Sequence, residues 1–147
     1  LGIAAASVGP RAAPTAPVRV QAAARAVVGA LTVAQNEAIA NQQRRTIVFD
    51  PAADRYRLLK PGSSGDELVT APWVGGEYII RFDEQSRFGG VDIVSVSFSN
   101  NRISFDDLGA PSEGGSIVLS AGGDSYTVEV TPLTGRSTVT EGKGGGA

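Results

Sequence analysis

Between residues 18 and 43 the chain keeps one helical period, and from Thr46 onward it never returns to one. Val20, Ala24, Val27, Leu31, Ala34 and Ala38 recur at three- and four-residue spacing, which puts them on a single stripe. A helix over 18–43 is about 39 Å long at 1.5 Å per residue. Everything after it reads as short β-segments punctuated by turns. An apolar stripe must be buried against another element, and short strands with frequent turns form antiparallel sheets packed face to face. The expected architecture is therefore α+β, an N-terminal α-helix packed on antiparallel β-sheets.

The first strands follow the helix at once. Thr46-Ile47-Val48-Phe49 is β-branched and apolar, Asp50-Pro51-Ala52-Ala53-Asp54 is a turn, and Arg55-Tyr56-Arg57-Leu58-Leu59 returns, which predicts a hairpin. Pro61-Gly62-Ser63-Ser64-Gly65-Asp66 reads as a loop. Further strands are expected over 67–70, 78–82, 91–98, 102–105, 116–121, 125–131 and 137–140. Alternation is clearest where Tyr126, Val128 and Val130 face one way and Thr127, Glu129 and Thr131 the other. With 147 residues there is material for one domain with a real core, and 19 glycines and eight prolines supply its turns. Pro10, Pro14 and Pro17 break any helix arriving from the N-terminus, so a fresh start is expected, with Thr15 as its cap and Pro17 in its first turn. Arg44 and Arg45 are expected in the last turn, where positive charge favours the helix dipole.

Composition removes most catalytic chemistry. The chain has no His and no Cys, hence no imidazole base, no thiol nucleophile and none of the usual zinc ligands. Its serines have no imidazole to activate them. Asp106-Asp107 suggests half of a calcium site, but neighbours at a strand end point to opposite sides, and Leu108-Gly109 begins a turn. Asp83-Glu84 reads as a solvated pair. Gly89-Gly90 and Gly122-Gly123 lack the strand-loop-helix setting of a phosphate-cradling loop. Trp73, between Pro72 and Val74, reads as a rim or core residue in a chain only 6% aromatic. No catalytic residue, metal ligand or cofactor is assigned. The net charge is −2 and the cations, nearly all Arg, are scattered, which disfavours nucleic acid as a partner.

The helix face opposite the stripe carries Ala22, Arg25, Gly29, Thr32, Asn36 and Ala40. Surface helices usually display Glu and Lys there. Small residues instead let a second helix approach closely, so these six form a candidate assembly face.

The order of short motifs carries a resemblance. Ala34-Gln35-Asn36-Glu37-Ala38-Ile39 runs into Thr46-Ile47-Val48-Phe49 and Tyr56-Arg57-Leu58. Later come Ile103-Ser104-Phe105-Asp106-Asp107-Leu108-Gly109-Ala110-Pro111, Gly115-Ser116-Ile117-Val118-Leu119, Tyr126-Thr127-Val128-Glu129-Val130 and Thr134-Gly135-Arg136. From about Ala24 to Thr140 the chain resembles the GspH/FimT-like family, the H-type minor pseudopilins of type II secretion and their type IV pilus relatives. The resemblance implies a pilin-like β-sandwich and a structural subunit rather than an enzyme, without cofactor. It implies a single N-terminal helix in the bacterial inner membrane, cleavage of the precursor by a prepilin peptidase, and a globular domain in the periplasm. Implied partners are other major and minor pseudopilins, the inner-membrane platform, and the secretin or secreted substrates. The segment from Pro61 to Gly90 would be specific to this member.

Leu1-Gly2-Ile3-Ala4-Ala5-Ala6-Ser7-Val8 is an apolar stub. Family members often carry such a run with a proline eight residues after its glycine, and Gly2 and Pro10 have that spacing. Gly2, Ile3 and Pro10 are therefore read as a remnant of the membrane helix. Methionine is absent, including at position 1, so a processed or truncated form is expected. The expected division is a remnant and Pro-rich connection over 1–17, a globular domain over 18–140, and a flexible tail over 141–147.

Two other readings stand beside this one. A FimT-like minor pilin of a type IV pilus, some of which bind DNA, would use basic residues around the C-terminal Gly-Arg. Here Arg136 is followed by Ser137-Thr138-Val139, with only Lys143 beyond, and one Arg makes a weak phosphate anchor. A secreted β-sandwich binding module would use Trp73, Tyr78 and Tyr56 as an aromatic platform.

Overall fold

The computed structural model of the chain describes residues 15–142. Helix α1 spans Ala16–Asn41. It is followed by β1 (Arg45–Asp50), β2 (Arg55–Gly62), β3 (Gly65–Leu68), β4 (Thr70–Ala71), β5 (Gly76–Glu77), β6 (Ile79–Arg81), β7 (Asp92–Val96), β8 (Arg102–Phe105), β9 (Gly115–Ala121), β10 (Asp124–Val130) and β11 (Ser137–Gly142). The larger sheet has five strands in the order β3-β2-β1-β8, with β6 also pairing β2; the second has the order β11-β10-β9-β7; β4 and β5 form a small ribbon. Every pairing is antiparallel. One helix on antiparallel sheets is the α+β architecture expected from the sequence.

The whole expected stripe of α1 is buried, and Ala23 and Ala30 widen it. Alanines let the helix axis come close to the strands, while Val20, Val27 and Leu31 fill the space between. The sheets answer with Ile47, Phe49, Tyr56, Leu58, Ile103 and Phe105 from one side and Ile117, Leu119, Val128 and Val130 from the other. A line of ring contacts runs Phe98–Phe49–Tyr56–Phe82–Phe88, with centroid separations of 6.2, 5.8, 5.9 and 5.4 Å. It ties the larger sheet to the short 3-10 turns Phe82–Glu84 and Ser86–Phe88.

Several boundaries differ from expectation for physical reasons. Helix α1 ends at Asn41 because Gln42 adopts a left-handed conformation (φ 50°). The Gln42 and Gln43 amides then donate back to the Ile39 and Ala38 carbonyls, closing the last turn. Arg44 and Arg45 therefore lie beyond the helix, not in its last turn. Arg45 is buried in β1, donating to the Gln43 and Arg44 carbonyls and pairing with Glu37 at 3.4 Å. Arg44 pairs with Asp66 at 3.0 Å. At the other end Thr15 caps by backbone conformation only; its hydroxyl makes no capping bond, and Pro17 sits in the first turn.

The loop expected over 61–66 is a tight hairpin in which Pro61 faces Asp66 and Gly62 faces Gly65. Strand β11 runs to Gly142, paired with Ser125, so it extends two residues into the expected tail. The proposed membrane-helix remnant with Gly2, Ile3 and Pro10, and residues 143–147 of the tail, lie outside the described residues. Among the described residues no helix is long and apolar enough to cross a membrane.

Candidate assembly face and C-terminal motif

On the outer face of α1, Arg25, Gly29, Thr32, Asn36 and Ala40 are exposed. Ala22 is half-buried, packed at the edge of the core. A methyl group placed at Gly29 would meet nothing within 4 Å. A glycine inside a helix costs about 1 kcal/mol relative to alanine. No neighbour within the domain demands it, so the fold itself gives no reason for this residue.

The C-terminal motif serves a different purpose. The side-chain amide of Gln35 donates to the Gly109 carbonyl at 2.7 Å and to the Thr134 carbonyl at 2.9 Å. Phe105-Asp106-Asp107-Leu108-Gly109 and Thr134-Gly135-Arg136 thus converge on one helix residue. Both glycines have positive φ, 84° at Gly109 and 72° at Gly135. A Cβ on Gly135 would stand 2.9 Å from Gln35 Nε2 and 3.0 Å from Phe105 Cε1, while one on Gly109 would stand 2.7 Å from the Cδ1 of exposed Ile39, a side-chain end that can swing aside. Sequence reasoning quoted Gln35 within a helical run but assigned it no role. Its only signal was an amide beside the apolar stripe.

Asp106 is engaged locally. Its carboxylate accepts the Leu108 and Ala110 amides, each at 2.9 Å, and so shapes the turn that presents Gly109. Among the described residues no three His, Cys, Asp or Glu side chains gather into a cation site. Asp54 accepts the Ile93 amide at 2.8 Å. Burial, with the nearby charges of Asp92 and Asp83, pushes its carboxyl above the usual range. Asp83 and Glu84 are exposed, and Glu84 pairs with Arg81 at 3.1 Å.

Trp73, Tyr56 and Tyr78, the platform of the binding-module reading, line one groove but do not form an open platform. Tyr56 and Tyr78 are buried, and burial drives both hydroxyl pKa values up. Trp73 alone is open, 65% exposed. Arg136 is exposed; its backbone amide donates to the Thr134 hydroxyl at 3.3 Å, and no second Arg stands beside it in the turn.

The same fold occurs in the minor pseudopilin EpsH from the type 2 secretion system of Vibrio cholerae. That structure matches with a TM-score of 0.67 at 12% identity, covering 84% of this chain and 97% of the other. The type IV minor pilin FimU of Pseudomonas aeruginosa matches with a TM-score of 0.59 at 12% identity, covering 84% of this chain and 98% of the other. No curated protein sequence matches significantly. The family model for type II transport protein GspH matches residues 23–134, from the buried half of α1 through the Thr134 turn. With most of its length matched, the chain belongs to the GspH family, the H-type minor pseudopilins of type II secretion.

Proposed function

We propose that the protein is a structural subunit that works by association through the outer face of α1, as a minor component of the pseudopilus of a type II secretion system. The observation that carries this reading is Gly29. It is exposed, uncrowded and costly to helix stability, yet it sits on a face of small residues where a neighbouring helix can approach closely. Burying Ala22, Gly29 and Ala40 against that neighbour costs little side-chain entropy. Membership of a pseudopilin family supports an N-terminal helix in the inner membrane, with this domain in the periplasm among other pseudopilins. The platform, the secretin and the prepilin peptidase acting on the precursor are the further partners this reading names. The absence of His and Cys supports a role without hydrolase or transferase activity.

Gly29→Leu tests the face directly. The open space around Gly29 predicts that the variant folds with an unchanged circular dichroism spectrum. In the membrane-anchored protein it is expected to impair pseudopilus assembly and secretion. Normal secretion by a folded Gly29→Leu protein would reject the helix-face reading.

A further inference from the structure

Between β3 and β6 the chain leaves the larger sheet and returns. The neck of this excursion is fixed by backbone hydrogen bonds: Tyr78 donates to Val69 at 2.8 Å, Val69 to Leu58 at 2.9 Å, and Leu58 to Tyr78 at 3.1 Å. Val69, Ala71 and Tyr78 are buried there. Beyond the neck, β4 and β5 form a short arm whose tip is the 3-10 turn Pro72–Val74, closed by the Gly75 amide donating to Pro72 at 3.0 Å. This turn holds the only Trp of the chain out toward solvent.

Between the arm and α1 lies an open groove of about 270 Å³, walled by Ala26, Gly29 and Val33 on the helix and by Trp73 and Val74 on the arm. Arg87 stands at its margin, its guanidinium stacked 4.5 Å over the Phe88 ring. No acidic side chain lines the groove. Arg25 lies one helical turn before Gly29 and is exposed. The ion pairs of the described residues use Arg44, Arg45, Arg55, Lys60 and Arg81, leaving both Arg25 and Arg87 without a carboxylate. An open Trp and unpaired Arg beside an apolar cleft are the residue types that dominate binding energy at protein interfaces. One cation lining a mostly apolar groove, with Arg25 outside it one helical turn from Gly29, suits a carboxylate on a protein segment better than a run of phosphates.

We propose that this groove docks an acidic segment of another pseudopilin: apolar side chains enter between Gly29 and Trp73, and a carboxylate pairs with Arg87. The proposal rests on the assembly reading above and adds to it the arm and the chemistry of the partner.

The single Trp makes the test direct, because the ¹⁵N-labelled chain has one indole N–H resonance. The probes are the unlabelled globular domains of the other minor pseudopilins of the same secretion system, each titrated at low and high salt. One of them is expected to shift the indole signal and the Gly29 amide, with affinity falling as salt rises. Arg87→Glu and Trp73→Ala, read at the Gly29 amide, are each expected to weaken binding at least about ten-fold while keeping the thermal midpoint. The proposal is overturned if none of the domains shifts these signals, if the shifts map elsewhere, or if Arg87→Glu binds as tightly as the parent. It is also overturned if the signals move with the chain's own concentration alone, which would make a second copy the occupant. Secretion assays separate the two readings. Thr32→Trp alters the helix face outside the groove. If it blocks secretion while Trp73→Ala does not, the groove falls and the helix face stands. If Trp73→Ala blocks secretion while Thr32→Trp does not, the groove stands and the wider face falls.

Discussion

At Gly135 three demands meet in one residue: a left-handed backbone, the Phe105 ring and the Gln35 amide. Alanine there must adopt a positive φ, costing about 1–2 kcal/mol, and must push against a ring that is itself fully buried. Gly135→Ala is therefore expected to destabilise the domain by about 2–4 kcal/mol in urea unfolding. At Gly29 the same substitution meets open space in a helix, so Gly29→Ala is expected to stabilise by about 1 kcal/mol. Equal and small effects at both sites would show that the contacts around Gly135 are slack. Both glycines stand in the sequence as the same letter. Nothing local separates the one the fold requires from the one it does not, because the atoms that crowd Gly135 come from residues 35 and 105.

Among the elements, α1 does most to organise the core, and Leu31 is its largest buried side chain at 1% exposure. Leu31→Ala leaves a cavity between helix and strands that alanine-rich surroundings cannot collapse into, so a loss of about 2–5 kcal/mol is expected in chemical denaturation. A loss well under 1 kcal/mol would mean that the helix is only loosely seated. The helix was legible in the sequence because burial on one side forces a 3.6-residue period that survives in the letters. Its end was not, since the left-handed residue closing it is Gln42 rather than glycine. The strands were legible for the same reason as the helix, and β8 emerges at its expected bounds, Arg102–Phe105. Pro61-Gly62-Ser63-Ser64-Gly65 misled by composition. Pro61 lies past Leu59, the last β2 residue paired with β1, so it has a partner on one side only and its missing N–H is tolerated. The arm bearing Trp73 was illegible because two-residue strands carry no period. The meeting at Gln35 was illegible because it spans 74 and 99 residues of chain.

For the whole molecule, the question between secretion and a DNA-handling pilus is one of charge distribution. The net charge is −2, and four described arginines outside the ion pairs lie in three parts of the fold. Arg25 lies on α1 and Arg136 follows the turn held by Gln35. Arg57 and Arg102 sit on the outer face of the larger sheet, where each is in register with Val48 from opposite sides. Each phosphate neutralised contributes a slope of about −0.9 to the logarithm of affinity against the logarithm of salt, and non-specific binders using many such contacts reach about 10⁻⁴ to 10⁻⁶ M. A single contact from Arg136 leaves this domain weaker than about 10⁻⁴ M at physiological salt. A gel-shift titration with duplex DNA is therefore expected to give no retarded band at moderate salt, and Arg136→Ala to change nothing. A clear shift at that salt, abolished by Arg136→Ala, would replace the secretion reading with that of a type IV pilus subunit. The fold fits both readings, since it occurs in EpsH and FimU alike. The decision therefore rests on charge, and the gel shift read at Arg136 makes it.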